Sequence, residues 1–326
     1  MPMFLRTPSA SRRTLLRQGA AAALGCAALP AWLHADASAP SEKQWPIVDT
    51  HLHLWDLERF RLDWIEPGTP LDRSYLLEHF REAAANLPFE QCVYMEVDVR
   101  PEQQSAEIEY VTTLCREQQR PLAAMVVSGR PADERFADYL RQHRENPYIR
   151  GLRQVLHTPA TPRGYMLERS FVRGIQMLGE VGWHFELCLR PAELADAARL
   201  VDLCPDTRFV LDHCGNASVL EEDLDPWRRD IARLAEREQV AAKISGIIAS
   251  GAGGRWSVDN LAPIINHTLD CFGPDRVVFG SDWPVCTLAA SLRQWVEALR
   301  AIVCQRSEAD QRKLFAENAR RLYRLA

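Results

Sequence analysis

Residues 47–53 read Ile47-Val48-Asp49-Thr50-His51-Leu52-His53, a β-branched start that ends on two histidines one residue apart. Side chains at i and i+2 of a strand point to the same side, so the run predicts a strand that aims two imidazoles at one point. Apolar, β-branched runs recur at 92–97, 122–127, 149–156, 184–189, 208–212, 240–244 and 276–280, and most end in charged or polar residues. Between them lie segments of helical periodicity at 74–85, 103–119, 132–143, 168–181, 191–203, 226–238, 258–272 and 288–303, and a closing helix is expected at 308–323. Alternation of this kind is the mark of repeated βα units on a parallel sheet. Eight such units within residues 45–326 predict a single-domain (β/α)8 TIM barrel. The competing doubly wound sheet needs a glycine-rich phosphate turn after its first strand, and Leu54-Trp55-Asp56 stands there instead.

The chain has 326 residues, 47% hydrophobic and 25% charged, which excludes a disordered, collagen-like or coiled-coil protein. Nine cysteines are scattered with no CxxC pair, too sparse for a disulfide scaffold and without zinc-finger spacing. Residues 11–17, Ser-Arg-Arg-Thr-Leu-Leu-Arg, precede an alanine-rich apolar run at 19–33 and then Ala35-Asp36-Ala37. A basic, an apolar and a small-residue region in that order predict an export signal over residues 1–37. The paired arginines are of the twin-arginine type, which makes the twin-arginine machinery an expected partner and the periplasm or exterior the expected location. Cys26 in Ala23-Leu24-Gly25-Cys26 offers a lipoprotein reading, but alanine stands where such sites carry leucine. Cleavage after Ala37 removes four arginines and one aspartate, taking the formal charge from −5 to −8. That balance argues against nucleic acid or an anionic membrane surface as partner, and no later stretch is long and apolar enough for a stable membrane span.

Barrel active sites are built at the C-terminal ends of the strands. The eighth predicted strand runs Val277-Val278-Phe279-Gly280 into Ser281-Asp282-Trp283-Pro284, and in a closed barrel it lies beside the first. Asp282 then joins His51 and His53, a set that can hold a divalent cation with an open position and activate water. Packed histidines and a helix N-cap at Asp282 are the bland alternatives. Glu96 and Asp98 end the second strand, Arg153 and His157 the fourth, His184 and Glu186 the fifth, Asp212 and His213 the sixth, Lys243 and Ser245 the seventh. Glu96 is a further candidate ligand, although Glu96 or Glu186 can equally pair with Arg153 or Lys243 inside the barrel. Asp282 and His213 are the candidate acid–base residues. Arg153, His157, Glu186, Lys243 and Trp283 are the candidates for contact with a small-molecule substrate.

Several segments together resemble a known family. They are Val48-Asp49-Thr50-His51-Leu52-His53-Leu54-Trp55-Asp56, Gly151-Leu152-Arg153-Gln154-Val155-Leu156-His157, Val210-Leu211-Asp212-His213-Cys214-Gly215, Lys243-Ile244-Ser245-Gly246 and Phe279-Gly280-Ser281-Asp282-Trp283-Pro284-Val285-Cys286. They resemble the amidohydrolase-related metal-dependent hydrolases (amidohydrolase family 2), and within them the lactonase-like branch of fuconolactonases, rhamnonolactonases and sulfomuconolactone hydrolases. The resemblance implies a TIM barrel with His51, His53 and Asp282 as the metal and catalytic centre, zinc as the expected ion, and Arg153, His157 and His213 near substrate oxygens. Two departures stand out: Gly215-Asn216-Ala217 replaces a usual Gly-Lys-Pro, and Glu186 stands where other amidohydrolases place a histidine. The reading is an exported hydrolase that opens a lactone or similar cyclic ester. Its rivals are decarboxylation of an aromatic or enoic acid on the same centre and a catalytically silent binding protein.

Overall fold

The computed structural model describes residues 45–117 and 121–326, so the expected export segment 1–37 lies outside the described residues. Among the described residues eight strands form one sheet in sequence order, every neighbouring pair parallel. They are β1 (Ile47–Leu52), β2 (Phe89–Met95), β3 (Leu122–Ser128), β4 (Ile149–Val155), β5 (His184–Cys188), β6 (Phe209–Leu211), β7 (Val240–Ile244) and β8 (Val277–Phe279). The ring closes just beyond β8, where Leu52 pairs with Trp283. Asp282 N donates to His51 O at 2.9 Å and His53 N to Trp283 O at 2.8 Å. The closing bonds thus run through the residues expected to form the site.

The covering helices are α1 (Leu77–Ala83), α2 (Gln104–Arg116), α3 (Phe136–His143), α4 (Arg169–Glu180), α5 (Leu194–Leu203), α6 (Asp225–Ala235), α7 (Val258–Phe272) and α8 (Leu292–Val303). Four starts, those of α1, α3, α5 and α8, fall three or four residues later than the periodicity predicts, and for two of them the local reason is plain. Trp55 and Tyr75 exchange backbone hydrogen bonds, which holds residue 75 extended and delays α1 to Leu77. Residues 285–288 form a separate 3-10 turn, and α8 begins only after Ser291, whose hydroxyl accepts from Gln294 N while the Gln294 side chain accepts from Ser291 N, a reciprocal cap. The closing helix is interrupted by a π turn at Lys313–Glu317. Among the described residues no helix is long and apolar enough to cross a membrane.

Two apolar layers hold this together. The larger packs the outer faces of the strands against the helices. The smaller fills the bottom of the barrel with Val48, Val93, Val126, Val210 and Val278, sealed from below by Ala316, Ala319 and Tyr323. Burial of these aliphatic groups stabilises the barrel by roughly 1.5–3 kcal/mol per side chain, and it leaves the upper interior to polar residues.

Candidate functional site

Above the valine layer the barrel interior is ionic. Lys243 Nζ is 2.6 Å from Glu186 Oε2 and 3.1 Å from Asp212 Oδ1. Glu186 Oε1 also accepts from Tyr323 OH at 2.8 Å and meets His184 Nε2 at 3.0 Å. Arg153 donates through Nε to Glu96 Oε1 at 2.5 Å and through Nη2 to Glu96 O at 2.8 Å, and its Nη1 lies 3.5 Å from Asp212 Oδ2. Burial opposes the charge on Asp212, but the Lys243 ammonium and the His51 imidazole outweigh it and hold this carboxyl well below the usual range. Burial likewise opposes the Arg153 charge, and the Glu96 carboxylate overrides it, so the guanidinium stays protonated. Three carboxylates face two cations in this layer, an excess of negative charge directly under the cleft.

On top of this layer the predicted trio converges. His51 Nε2 is 3.2 Å from His53 Nε2 and 3.7 Å from Asp282 Oδ1, and His53 Nε2 is 3.4 Å from Asp282 Oδ1. Asp49, two residues before His51, ties the two ends together: its Oδ1 accepts from His51 N at 3.0 Å and from Ser281 N at 2.8 Å. Gly280 lets the strands approach, because a Cβ there would lie 2.8 Å from His51 Cβ.

This donor set fits a divalent cation. Ligands at about 2.0–2.2 Å from a tetrahedral ion stand about 3.3–3.6 Å apart, close to the observed sides of 3.2, 3.4 and 3.7 Å. His53 Nδ1 is bonded to Met95 O at 3.0 Å, which fixes the proton on that nitrogen and frees Nε2 as a ligand. Burial and the nearby Lys243 ammonium keep His51 well below its ordinary pKa, hence neutral and able to ligate. A second trio, His51, Asp212 and His213, also clusters, but Lys243 Nζ stands 3.2 Å from His51 Nδ1 and 3.1 Å from Asp212 Oδ1. An ammonium already serves as the cation there.

A cavity of about 350 Å³ opens over the trio, with His53, Asp282, Arg153, His157 and His213 on its lining. His213 Nδ1 meets Ser245 Oγ at 2.9 Å. Burial lowers the His213 pKa against the pull of the Asp282 and Asp212 carboxylates, so the ring is neutral. Its position depends on Gly246, at φ +65°, where a Cβ would lie 2.2 Å from Nδ1. His157 is lowered to about 4 by burial, then by His213 and Arg153. His213, Cys214, Asn216, Asp98 and Asp282 all hold left-handed backbone at φ +49° to +56°. Such conformations cost of order 1 kcal/mol or more each and gather where a site dictates side-chain direction.

Four expected site residues have other duties. Glu96 does not join the metal trio: its oxygens are taken by Arg153 Nε and by Asp98 N at 2.7 Å, so it orients the guanidinium. Glu186 and Lys243 are fully buried and lie outside the cavity lining, paired to one another beneath the site and out of reach of a substrate. Trp283 is turned away from the cavity to pack edge-on against Tyr75 and Phe80 at 5.3 and 5.5 Å between ring centroids. Residues that the strand-end reading passed over line the walls instead, among them Val97, Val155, Thr158 and Ser250. Trp64, in the loop after β1, also reaches the cavity, whereas Trp256, in the loop after β7, donates through Nε1 to Ala289 O at 3.0 Å. Valines at strand ends carry no chemical signal, and only the closure of the barrel exposes them to the cleft.

An eight-stranded parallel barrel with two histidines at the end of β1 and a carboxylate after β8 defines a class of hydrolytic barrels, and the amidohydrolase family pattern matches residues 48–325. The chain belongs to the amidohydrolase family. It is 27% identical over 295 residues to an L-fucono-1,5-lactonase of Burkholderia multivorans, covering 85% of this chain and 96% of that one. It is 20% identical over 339 residues to an L-rhamnono-gamma-lactonase of Scheffersomyces stipitis, covering 86% and 99%. A crystal structure of a Burkholderia multivorans amidohydrolase with bound zinc superposes with a TM-score of 0.77 at 26% identity, over 86% of this chain and 100% of that one. The resemblance to lactonase-like members thus extends over the whole barrel.

Proposed function

We propose that this protein hydrolyses the cyclic ester of a lactone, using Asp282 as general base. The observation that carries the proposal is the meeting of His51, His53 and Asp282 beside the charged Arg153, with His53 and Asp282 lining a cavity and His51 just beneath. Residues His51, His53 and Asp282 would hold a divalent ion, and the zinc-bound relative supports zinc. The chemistry such an ion supplies when bound is Lewis acidity toward water and toward a carbonyl oxygen.

The chain's own residues account for the proton and the charge. Asp282 takes a proton as water adds to the ester carbon. Arg153, locked by its two bonds to Glu96 and with Nη1 3.3 Å from His51 Nε2, lines the cavity beside the trio, where a fixed cation would stabilise charge developing on the carbonyl oxygen. When the ring C–O bond breaks, Asp282 returns its proton to the departing oxygen, giving a hydroxy acid and restoring the carboxylate. His213 and His157, both neutral, are placed to hydrogen-bond ring oxygens without adding charge.

The order of basic, apolar and small residues in 1–37 supports export of the mature barrel. Mass spectrometry of the protein from a periplasmic extract should find a chain beginning near residue 38; an intact N-terminus there would contradict cleavage, and confinement of the protein to the cytoplasmic fraction would contradict export. For the reaction, a panel of five- and six-membered lactones read by proton release is expected to give turnover. Release of carbon dioxide from an aromatic acid, with no lactone opened, would replace the proposal by decarboxylation.

A further inference from the structure

We infer that the lactone carries an apolar substituent, an alkyl or aryl group, and is not a polyhydroxylated sugar lactone. This rests on the lactone-opening reading and goes beyond it to the substrate class. The polar groups free to meet a ligand sit on the floor of the cavity, where Arg153, His157, His213 and Asp282 surround the position of the ester. The same cavity is also lined by Val97, Val155, Cys188, Ile247, Ala249 and Val285.

The polar side chains that reach the walls each carry a bond within the protein, Thr158 among them, whose Oγ1 meets Thr161 Oγ1 at 3.0 Å. Trp64 Nε1 donates to Val97 O at 2.7 Å, so the indole offers its ring. The Ser250 hydroxyl donates to Ile247 O at 2.7 Å and accepts from Val219 N at 3.1 Å. The Asn216 amide donates to Leu189 O at 2.7 Å, and Asp98 is paired with Arg130 at 2.9 Å.

A sugar lactone presents hydroxyls around its ring, and each one buried here without a partner would lose about tenfold in affinity. An alkyl chain against the same valines gains about fourfold per methylene. The cavity, about 350 Å³, belongs to the small end of ligand sites, which span about 300–1,000 Å³. It suits one ring and a short substituent better than an oligosaccharide.

The test compares kcat/KM for δ-valerolactone, δ-octanolactone and D-glucono-1,5-lactone, alongside calorimetric binding of the corresponding unreactive lactams. The propyl substituent of δ-octanolactone should raise kcat/KM at least about tenfold over δ-valerolactone, a discount on three carbons at about fourfold each, and the gluconolactone should fall below both. Val155→Asn, and independently Val285→Asn, should shrink the propyl advantage severalfold. Gluconolactone opened as well as δ-octanolactone would overturn the inference and leave the lactone reading intact. Turnover of no lactone, with the propyl lactam still bound about tenfold tighter than the hydroxylated one, would sustain the apolar pocket and defeat the lactone reading. Equal binding of the two lactams would overturn the inference outright.

Discussion

Replacing Asp282 by Asn isolates its chemistry from its architecture. The residue adopts φ +54°, a left-handed conformation that Asn tolerates better than almost any other non-glycine residue. Its structural bonds are backbone ones: Asp282 N donates to His51 O and Cys286 N to Asp282 O, both at 2.9 Å. The amide keeps these bonds, the volume and the planar shape, so stability should change by no more than about 0.5 kcal/mol. What the substitution removes is a basic oxygen 3.4 Å from His53 Nε2 and 3.7 Å from His51 Nε2. General-base catalysis is worth about 10²–10⁴ in rate, so kcat for a cleaved lactone should fall at least about a hundredfold. KM should move less, because Arg153 and His157 still face the ligand. Stopped-time proton release gives kcat and KM, and thermal unfolding gives the stability on the same preparations. A variant that retains kcat within a few fold of the parent would refute Asp282 as the base and turn attention to His213. A lost fold would show that the carboxylate is structural.

Lys243→Met should destabilise the barrel by about 3–5 kcal/mol in urea titration, because Glu186 would be left buried with no cation and Asp212 with only Arg153 Nη1 at 3.5 Å; an unchanged midpoint would remove Lys243 as the counter-ion of that layer. His53→Ala should abolish stoichiometric divalent metal in elemental analysis of purified protein, since it deletes one of three donors and the Met95-bound imidazole; equal metal content in parent and variant would refute the trio as the site. Glu107 is pushed up to about 8 by burial, then by the neighbouring Glu96 charge, while Val97 N and Tyr94 OH donate to its Oε1. Its folded pKa exceeds the unfolded one, so its contribution is complete below about 4.5 and is lost as pH rises through about 8. Glu107→Gln mimics the protonated acid, and its melting temperature should therefore gain on the parent's between pH 5 and pH 9. A constant difference across that range would show that Glu107 is ionised in the fold.

The eight βα units and the pairing of His51 with His53 were legible in the sequence because both follow from local rules. Periodicity of 2 and 3.6 residues sets element type, and i, i+2 spacing on a strand sets which side chains share a side. Asp282 was legible once the strand count implied that the first and eighth strands meet. What the sequence left open was depth. Glu96, Arg153, Glu186, Asp212 and Lys243 all occupy strand ends and look alike in sequence. Only the tertiary structure decides that Arg153 reaches the cavity while Glu186 and Lys243 neutralise one another below it. The reason is that depth in a barrel depends on strand register and on how far each side chain extends, quantities set by seven inter-strand pairings and the final closure. Direction was equally hidden: the left-handed backbone at Asp282 sends the carboxylate to the metal trio and Trp283 to the aromatic pack outside it. The apolar walls, rich in valines indistinguishable in sequence from core residues, became a binding surface only when the ends of separate strands were brought around one cavity.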